Sequence, residues 1–585
     1  MLYLNGENSN YDKFPDVKIN GYDNEIFHGY NSILDIVKEK LKTENKVVVL
    51  DCYTTVDEAE VLSAFKKGLS PELVINSKDI FYDKKTYEKM IARYLTEDRV
   101  FGICYYGKLD DFISKEKLRR AKELIDQAKG TVLIYGVGAS LIHHGDLLIY
   151  ADMTCWEAQM RYRRGGSNFL ADNPDEDNLR KFKRGYFLDW RICDRHKKDV
   201  FKKMDFILDT TVKDDPKMLT SLAFFGGLKQ MVSQPFRTVP FFDPAVWGGQ
   251  WMKEVFDIEE ASQPNYGWSY TCLMNENGLL MNYNGILFAI PANDLVYTYP
   301  KQLIGEKGFS RFGMEYPIRF DFLDTMGGGN LSLQVHPDTQ FAKENFGLTY
   351  TQDESYYILD AGDDGITYLG IRTGADKEEM MRELYKADQG ELEFDADKYT
   401  NCFPAKKHDH FLIPAGIVHC AGGNTMVLEI SSSPCIFTFK LWDWGRRGLD
   451  GLPRPTHVSY GERVIQWDKR TKWIEETCVN QVKVISNEEG VRIEKTGLHE
   501  NEFIETHRHT FSKKVRHKTG NETNVLNLIE GKEAIVESVD DSFKPFVVHF
   551  AETFVIPAVI SEYTIAPHGE SVGKEIMTIK AFVRF

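Results

Sequence analysis

The sequence predicts two architectures on one chain: an α/β part organised on a mostly parallel sheet, followed by an all-β part made of two sandwich or jelly-roll units. Three observations predict this. Over residues 1–215, short continuous apolar runs alternate with helix-periodic stretches, the pattern of βαβ units. Over 236–470 and 480–585, short runs alternating at period 2 follow one another closely, with turn residues between them. The chain has 585 residues, 42% of them apolar and 13% aromatic, enough for the cores of three or four domains of about 150 residues each.

In chain order, residues 46–51 (Lys-Val-Val-Val-Leu-Asp) read as a strand buried on both faces, and 57–67 as a helix after it. Residues 100–105 read as a second strand. An amphipathic helix over 115–129, closed by Gly130, precedes further strands at 131–136, 147–152 and 205–209. This layout resembles a P-loop nucleoside- or uridine-kinase-like domain, with Arg161-Tyr-Arg-Arg164 where such kinases carry a basic lid. The phosphate loop itself is missing. It needs G-x-x-x-x-G-K-[ST], whose backbone N–H groups and lysine cradle phosphates. The chain reads Asp51-Cys-Tyr-Thr-Thr-Val-Asp-Glu-Ala59 instead, with no glycine and with two acids, Asp57 and Glu58. The expectation is a degenerate unit with a structural or regulatory role.

Residues 216–235 form a connection, after which the composition turns aromatic and rich in Gly and Pro. Strands are expected at 285–290, 354–359, 410–413 and 425–430, with a helical insert over 377–388. A break near 470–480 leads to a last β-rich segment with strands at 546–550 and 554–558.

The net charge of −16 argues against nucleic acid or an anionic membrane as a partner, because both require a basic footprint. It leaves room for one phosphorylated small molecule held by a few local cations. Nine cysteines, odd in number and without a Cys-x-x-Cys pair, fit reduced thiols better than a disulfide framework. The first residues show no signal layout, and no apolar run reaches the roughly 18 residues of a membrane span. The expectation is a cytoplasmic protein, with a homo-oligomer left open.

Residues 330–338 alternate apolar and polar positions. Ser332, Gln334 and His336 therefore share one face of a strand, and Pro337 ends it. Glu354 begins a second strand, and Pro414-Ala-Gly416 makes a tight turn that delivers His419. Gln334, His336, Glu354 and His419 form a mixed N/O set suited to Zn²⁺ or another borderline divalent ion. With the Pro-x-Gly-x-x-His turn they match a cupin metal site. In the last segment Ile556-Pro-Ala558 echoes Ile413-Pro-Ala415 without a following His, and His507 and His509 lack an acidic partner at that spacing. A second, metal-free cupin is expected there.

Over about 235–585 the chain resembles class I mannose-6-phosphate isomerases in their bacterial short form. The motifs fall in the family's order: Val246-Trp-Gly-Gly249, Leu331-Ser-Leu-Gln-Val-His-Pro-Asp338, the Glu354 strand, the turn before His419, Leu428-Glu-Ile430 and Leu441-Trp-Asp-Trp-Gly-Arg446. The resemblance implies one zinc ion per chain and interconversion of mannose 6-phosphate and fructose 6-phosphate through a cis-enediol. It implies Gln334, His336, Glu354 and His419 as metal ligands and Glu429 as the base. Arg446 would bind the oxyanion or the phosphate, with Ser332 and Arg454 as further substrate contacts. The chain departs from the family at Gln352-Asp353, where a Lys is usual, and at Gly445-Arg446, where Asp-Arg is usual. These departures motivate an alternative, a sugar-phosphate sensor that keeps the pocket without turnover. An iron oxygenase fits less well, since such sites carry more His ligands.

Overall fold

The computed structural model describes residues 9–41, 46–258, 263–432 and 437–585. Residues 1–8 and Cys435 lie outside them, and the eight described cysteines are free thiols. No described helix is long and apolar enough to cross a membrane.

The α/β part is built on a seven-stranded sheet. From one edge its strands are Ile26–His28, Lys217–Thr220, Phe206–Asp209, Leu147–Asp152, Val47–Cys52, Val132–Gly136 and Leu73–Asn76. The last five named are parallel, and Lys217–Thr220 and Ile26–His28 close the edge antiparallel. Every residue of Val47–Cys52 is buried, as a central parallel strand covered on both faces requires. The sheet takes its seventh strand from beyond residue 215, and the helix Ser221–Val232 packs on it, so the α/β part continues through the expected connection.

Residues 100–105 do not join this sheet; the second parallel strand in chain order is Leu73–Asn76. The backbone N–H groups of Cys104 and Tyr105 donate instead to Phe346 O at 2.9 Å and Phe187 O at 2.8 Å. Phe101 enters an aromatic cluster of the β part, 4.7 Å from Phe437, 5.4 Å from Phe439 and 4.5 Å from His457 between ring centroids. The run is apolar because it is a strap buried against the next body.

The turn after Val47–Cys52 runs directly into a self-capped helix. The helix Glu58–Leu69 starts there, and its own Asp57 carboxylate accepts the Glu60 N–H at 3.1 Å, taking a donor an anion would use. The arginines of the expected lid are also committed. Arg161 donates to Thr55 O at 3.0 Å and Thr210 O at 2.6 Å, Arg164 binds Glu157, and Arg163 clamps Asp243.

The central β part is a sandwich of a six-stranded and a five-stranded sheet. The first runs His410–Ile413, Asp353–Ala361, Thr425–Ser432, Arg319–Asp324, Trp268–Cys272, Phe241–Asp243. The second runs Thr400–Pro404, Ile366–Ile371, His419–Ala421, Leu333–Val335, Phe439–Trp442. Val335, Leu369 and Phe439 from one sheet and Ile358, Ile413 and Val427 from the other share one apolar core. The insert forms the helix Lys377–Asp388, burying Met380, Met381 and Leu384. A second sandwich, of six and four strands, fills the chain from Lys483 onward around Leu526, Val536 and Ile565.

The bodies are locked together. Lys197 of the α/β part is buried between Asp152 at 2.8 Å and Asp294 at 3.2 Å, with its ammonium 4.4 Å from the Tyr53 ring. Burial works to discharge this lysine, and the two carboxylates outweigh it and hold its pKa high. Arg237 meets Glu552 of the last sandwich at 2.7 Å, and Asp16–Ile19 pairs in parallel with Gly278–Tyr283.

Candidate metal centre and its cavity

Sheet register assembles the site. Gln334 stands opposite His419 on one side and Lys440 on the other, so the five-stranded sheet sets these three side by side. Glu354 comes from the facing sheet, next to Ile413 and Ser431. The turn that delivers His419 needs Gly416, whose φ is +85° and whose missing Cβ would lie 2.9 Å from Val464 O. Its N–H donates to His336 O at 2.9 Å, tying the turn to the strand that carries the other histidine.

His336, Glu354 and His419 are all buried, and one ligand atom from each lies within 4.8 Å of the others. His336 Nδ1 lies 2.8 Å from Phe437 O and His419 Nδ1 2.9 Å from Ile417 O. A carbonyl can only accept, so both Nδ1 atoms carry a proton and both rings turn Nε2 inward. Both Nε2 atoms meet Glu354, whose oxygens are 3.2 Å from His336 Nε2 and 2.8 Å from His419 Nε2. His336 Nε2 makes no hydrogen bond in this arrangement. Lone pairs facing a buried carboxylate repel unless positive charge lies between them, either protons on the rings or one divalent cation. The set fits a borderline divalent metal. Burial pushes the Glu354 carboxyl up, and the two imidazoles outweigh burial and hold it well below the usual range. Gln334 adjoins the trio: its Nε2 is 3.3 Å from His419 Nε2, and its Oε1 accepts from Thr438 at 3.0 Å.

Ser332, Gln334, His336, Glu429 and Arg454 line one cavity of about 330 Å³. Arg446 does not. Its guanidinium is held by Asp443 Oδ1 at 2.6 Å, outside the lining of this cavity. The other Asp443 oxygen accepts from Ser332 Oγ at 2.9 Å and Arg454 Nε at 2.7 Å. Burial works to raise the Asp443 carboxyl; Arg454, Lys440 and Arg446 together hold it below the ordinary range.

Three further groups belong to the site. Lys440 lines the cavity with no hydrogen-bond or ion-pair partner among the described residues, and burial, helped by Arg454, lowers its pKa to about 7. Arg319 is buried in the wall between Asp321 at 2.8 Å and Glu429, and its Nη1 is unpartnered. Gln352 donates to Glu354 at 2.8 Å and to Glu429 at 3.3 Å, and accepts from Phe437 N at 2.8 Å. The residue that replaces the usual lysine therefore braces both carboxylates. Burial, with Asp321 and Glu354 adding to it, raises Glu429 well above an ordinary carboxyl although Arg319 opposes the shift. Period-2 alternation was the available signal for two of these: Arg319 shares a face with Asp321, and Lys440 is the polar position between Phe439 and Leu441.

Among known proteins, a family described as a domain of unknown function (DUF8485) matches residues 29–233. The chain is 28% identical over 214 residues to a mannose-6-phosphate isomerase of Streptococcus mutans, covering 37% of this chain and 62% of that relative. It is 24% identical over 236 residues to the mannose-6-phosphate isomerase ManA of Bacillus subtilis, covering 40% of this chain and 69% of that one. A solved structure of the Bacillus subtilis mannose 6-phosphate isomerase aligns at a TM-score of 0.48 and 18% identity, over 59% of this chain and 99% of the other. The match thus spans under two thirds of the Streptococcus relative, and the chain is similar in sequence to sugar-phosphate isomerases over part of its length.

Proposed function

We propose that this chain is a metal-dependent isomerase of sugar phosphates, with a cupin-type central sandwich, one zinc ion, and mannose 6-phosphate and fructose 6-phosphate as its substrates. The observation that carries the reading is one cavity lined by His336 of the His-Glu-His cluster and by an acid and three cations, Glu429, Lys440, Arg454 and Arg319. The named relatives support the same class of reaction.

His336 Nε2, His419 Nε2 and Glu354 would hold the metal, with Gln334 beside them as a fourth donor if its amide turns its oxygen inward. Bound there, zinc would orient the sugar oxygens and draw charge from them. The remaining chemistry belongs to the chain. Glu429 takes the C2 proton of the aldose while the C1 oxygen gains a proton, giving a cis-enediol. Return of the carbon-bound proton to C1, with loss of the O2 proton, gives the ketose, and no redox partner is needed. A buried carboxylate with a raised pKa is suited to accept and return that proton. Lys440 and the free Nη1 of Arg319 face the charge that develops on oxygen. Arg454, aligned by Asp443, and Ser332 bind the phosphate.

Two variants test these roles. Glu354→Gln is expected to lose the metal and all turnover. Glu429→Gln is expected to keep full metal content and lose activity by roughly 10²–10⁴-fold, the range for a general base. Activity retained in Glu429→Gln would remove it from the mechanism.

A further inference from the structure

The cavity is not closed by the sandwich alone. Part of its lining comes from the α/β part: from residues 100 and 101, from the helix Asn178–Arg184, and from the helix Cys155–Arg163, capped at its start by Thr154. Trp156, Gln159 and Arg163 recur at three- and four-residue spacing, so they occupy one helix face, and that face lines the cavity. Each is fixed by a partner from the β part. The Trp156 ring stacks on Phe241 at 3.9 Å and 13°, Gln159 Nε2 donates to Glu276 at 2.9 Å, and Arg163 clamps both oxygens of Asp243 at 2.7 Å.

The wall is also rigid. The buried Lys197–Asp152–Asp294 cluster and the Phe101 strap hold the α/β part against the β part on two sides. It leaves a volume of about 330 Å³, at the small end of the roughly 300–1,000 Å³ of ligand cavities. With Phe241 stacked on its ring and the Arg163 guanidinium 5.3 Å from the ring centroid, Trp156 bounds the cavity as a fixed bulky side chain, and the Gln159 amide beside it can read a sugar hydroxyl.

We propose that the α/β part is the substrate-selecting wall of the isomerase site, with Trp156 and Gln159 as its specificity-determining residues, admitting a monosaccharide monophosphate and excluding larger phosphorylated sugars. This rests on the isomerase reading of the cavity and gives residues 29–233 a task in it. Because the wall is fixed, its residues act on substrate binding and leave the proton transfer to Glu429.

The test uses the full-length metal-loaded protein and steady-state kinetics with mannose 6-phosphate, glucose 6-phosphate and trehalose 6-phosphate. Trp156→Ala is expected to raise KM for the preferred substrate about tenfold with kcat changed less than about threefold, and to narrow the preference for the monosaccharide phosphates. Gln159→Ala should raise KM about fivefold, and Trp156→Phe should restore most of the lost affinity. Metal content and melting temperature of Gln159→Ala and Trp156→Phe should match wild type, so a folding defect in Trp156→Ala leaves the inference testable. KM and selectivity within about twofold of wild type in both Trp156→Ala and Gln159→Ala would overturn it. An active wild type with unaffected variants refutes this inference alone. A wild type that turns over none of the three sugars refutes the isomerase reading, and this inference with it.

Discussion

At the scale of single residues, Asp443 decides which cations are free to act. One of its oxygens holds Arg446, and the other aligns Ser332 and Arg454 toward the cavity. Lys440, two strand positions from Trp442 and without a hydrogen-bond or ion-pair partner among the described residues, stands beside Gln334, with its pKa lowered to about 7. Lys440→Met is therefore expected to cost at least about 10²-fold in turnover, whereas Arg446→Lys should cost less than about tenfold; steady-state kinetics separates the two. Sequence motifs pointed to Arg446 because a guanidinium stands in a recognisable run. They could not show that a carboxylate three residues earlier binds it. The His336-Glu354-His419 cluster was more legible. His336, Glu354 and His419 were marked by alternation and by the Pro-x-Gly turn, because sheet period and turn chemistry are written locally.

His410 gives a titration at the same scale. It is buried, its Nε2 lies 2.8 Å from Ser355 Oγ, and burial, helped by Arg508, lowers its pKa from 6.5 to about 3. The neutral ring is the folded form. Its stabilising contribution is complete above pH 6.5 and is lost as the pH falls toward 3, at about 1.4 kcal/mol per pH unit. His410→Gln should flatten that acid limb, measured as urea midpoints between pH 7 and 4; an unchanged slope would assign the acid sensitivity to other groups.

Among the elements, the stretch 100–105 is the instructive one. Its composition is that of a buried strand, and the burial is real, but the partner is another body. Local pattern reports that a segment is covered and cannot report by what. The same limit hid Leu73–Asn76 and Lys217–Thr220, a short parallel edge strand and an antiparallel one, whose four residues carry little periodic signal. The long signals held, as with the helix Lys377–Asp388 and the buried strand Val47–Cys52. Phe101→Ala should destabilise the chain by about 3–5 kcal/mol, the usual cost of emptying an aromatic core position, and weaken the contact between the α/β and β parts. Thermal unfolding that splits into two transitions would be its signature, with a single unshifted transition as the contrary result.

At the scale of the whole molecule, the α/β part and the central sandwich make one cavity between them. The sandwich supplies the His-Glu-His cluster and the charged walls, and the helix Cys155–Arg163 supplies part of the lining. None of this junction could be read along the chain, because Trp156 and Phe241 or Gln159 and Glu276 meet only across the interface. The second sandwich has its own apolar core and is joined through Arg237 and Glu552.

The central claim, that the buried His336-Glu354-His419 cluster serves a sugar-phosphate isomerase, is tested most directly on the purified full-length chain. Metal content is measured beside a coupled assay of mannose 6-phosphate conversion to fructose 6-phosphate, before and after chelation and zinc return. The account predicts about one zinc per chain, turnover lost on chelation and restored by zinc, and both abolished in Glu354→Gln. Full zinc occupancy with no turnover of any hexose or pentose phosphate would contradict it.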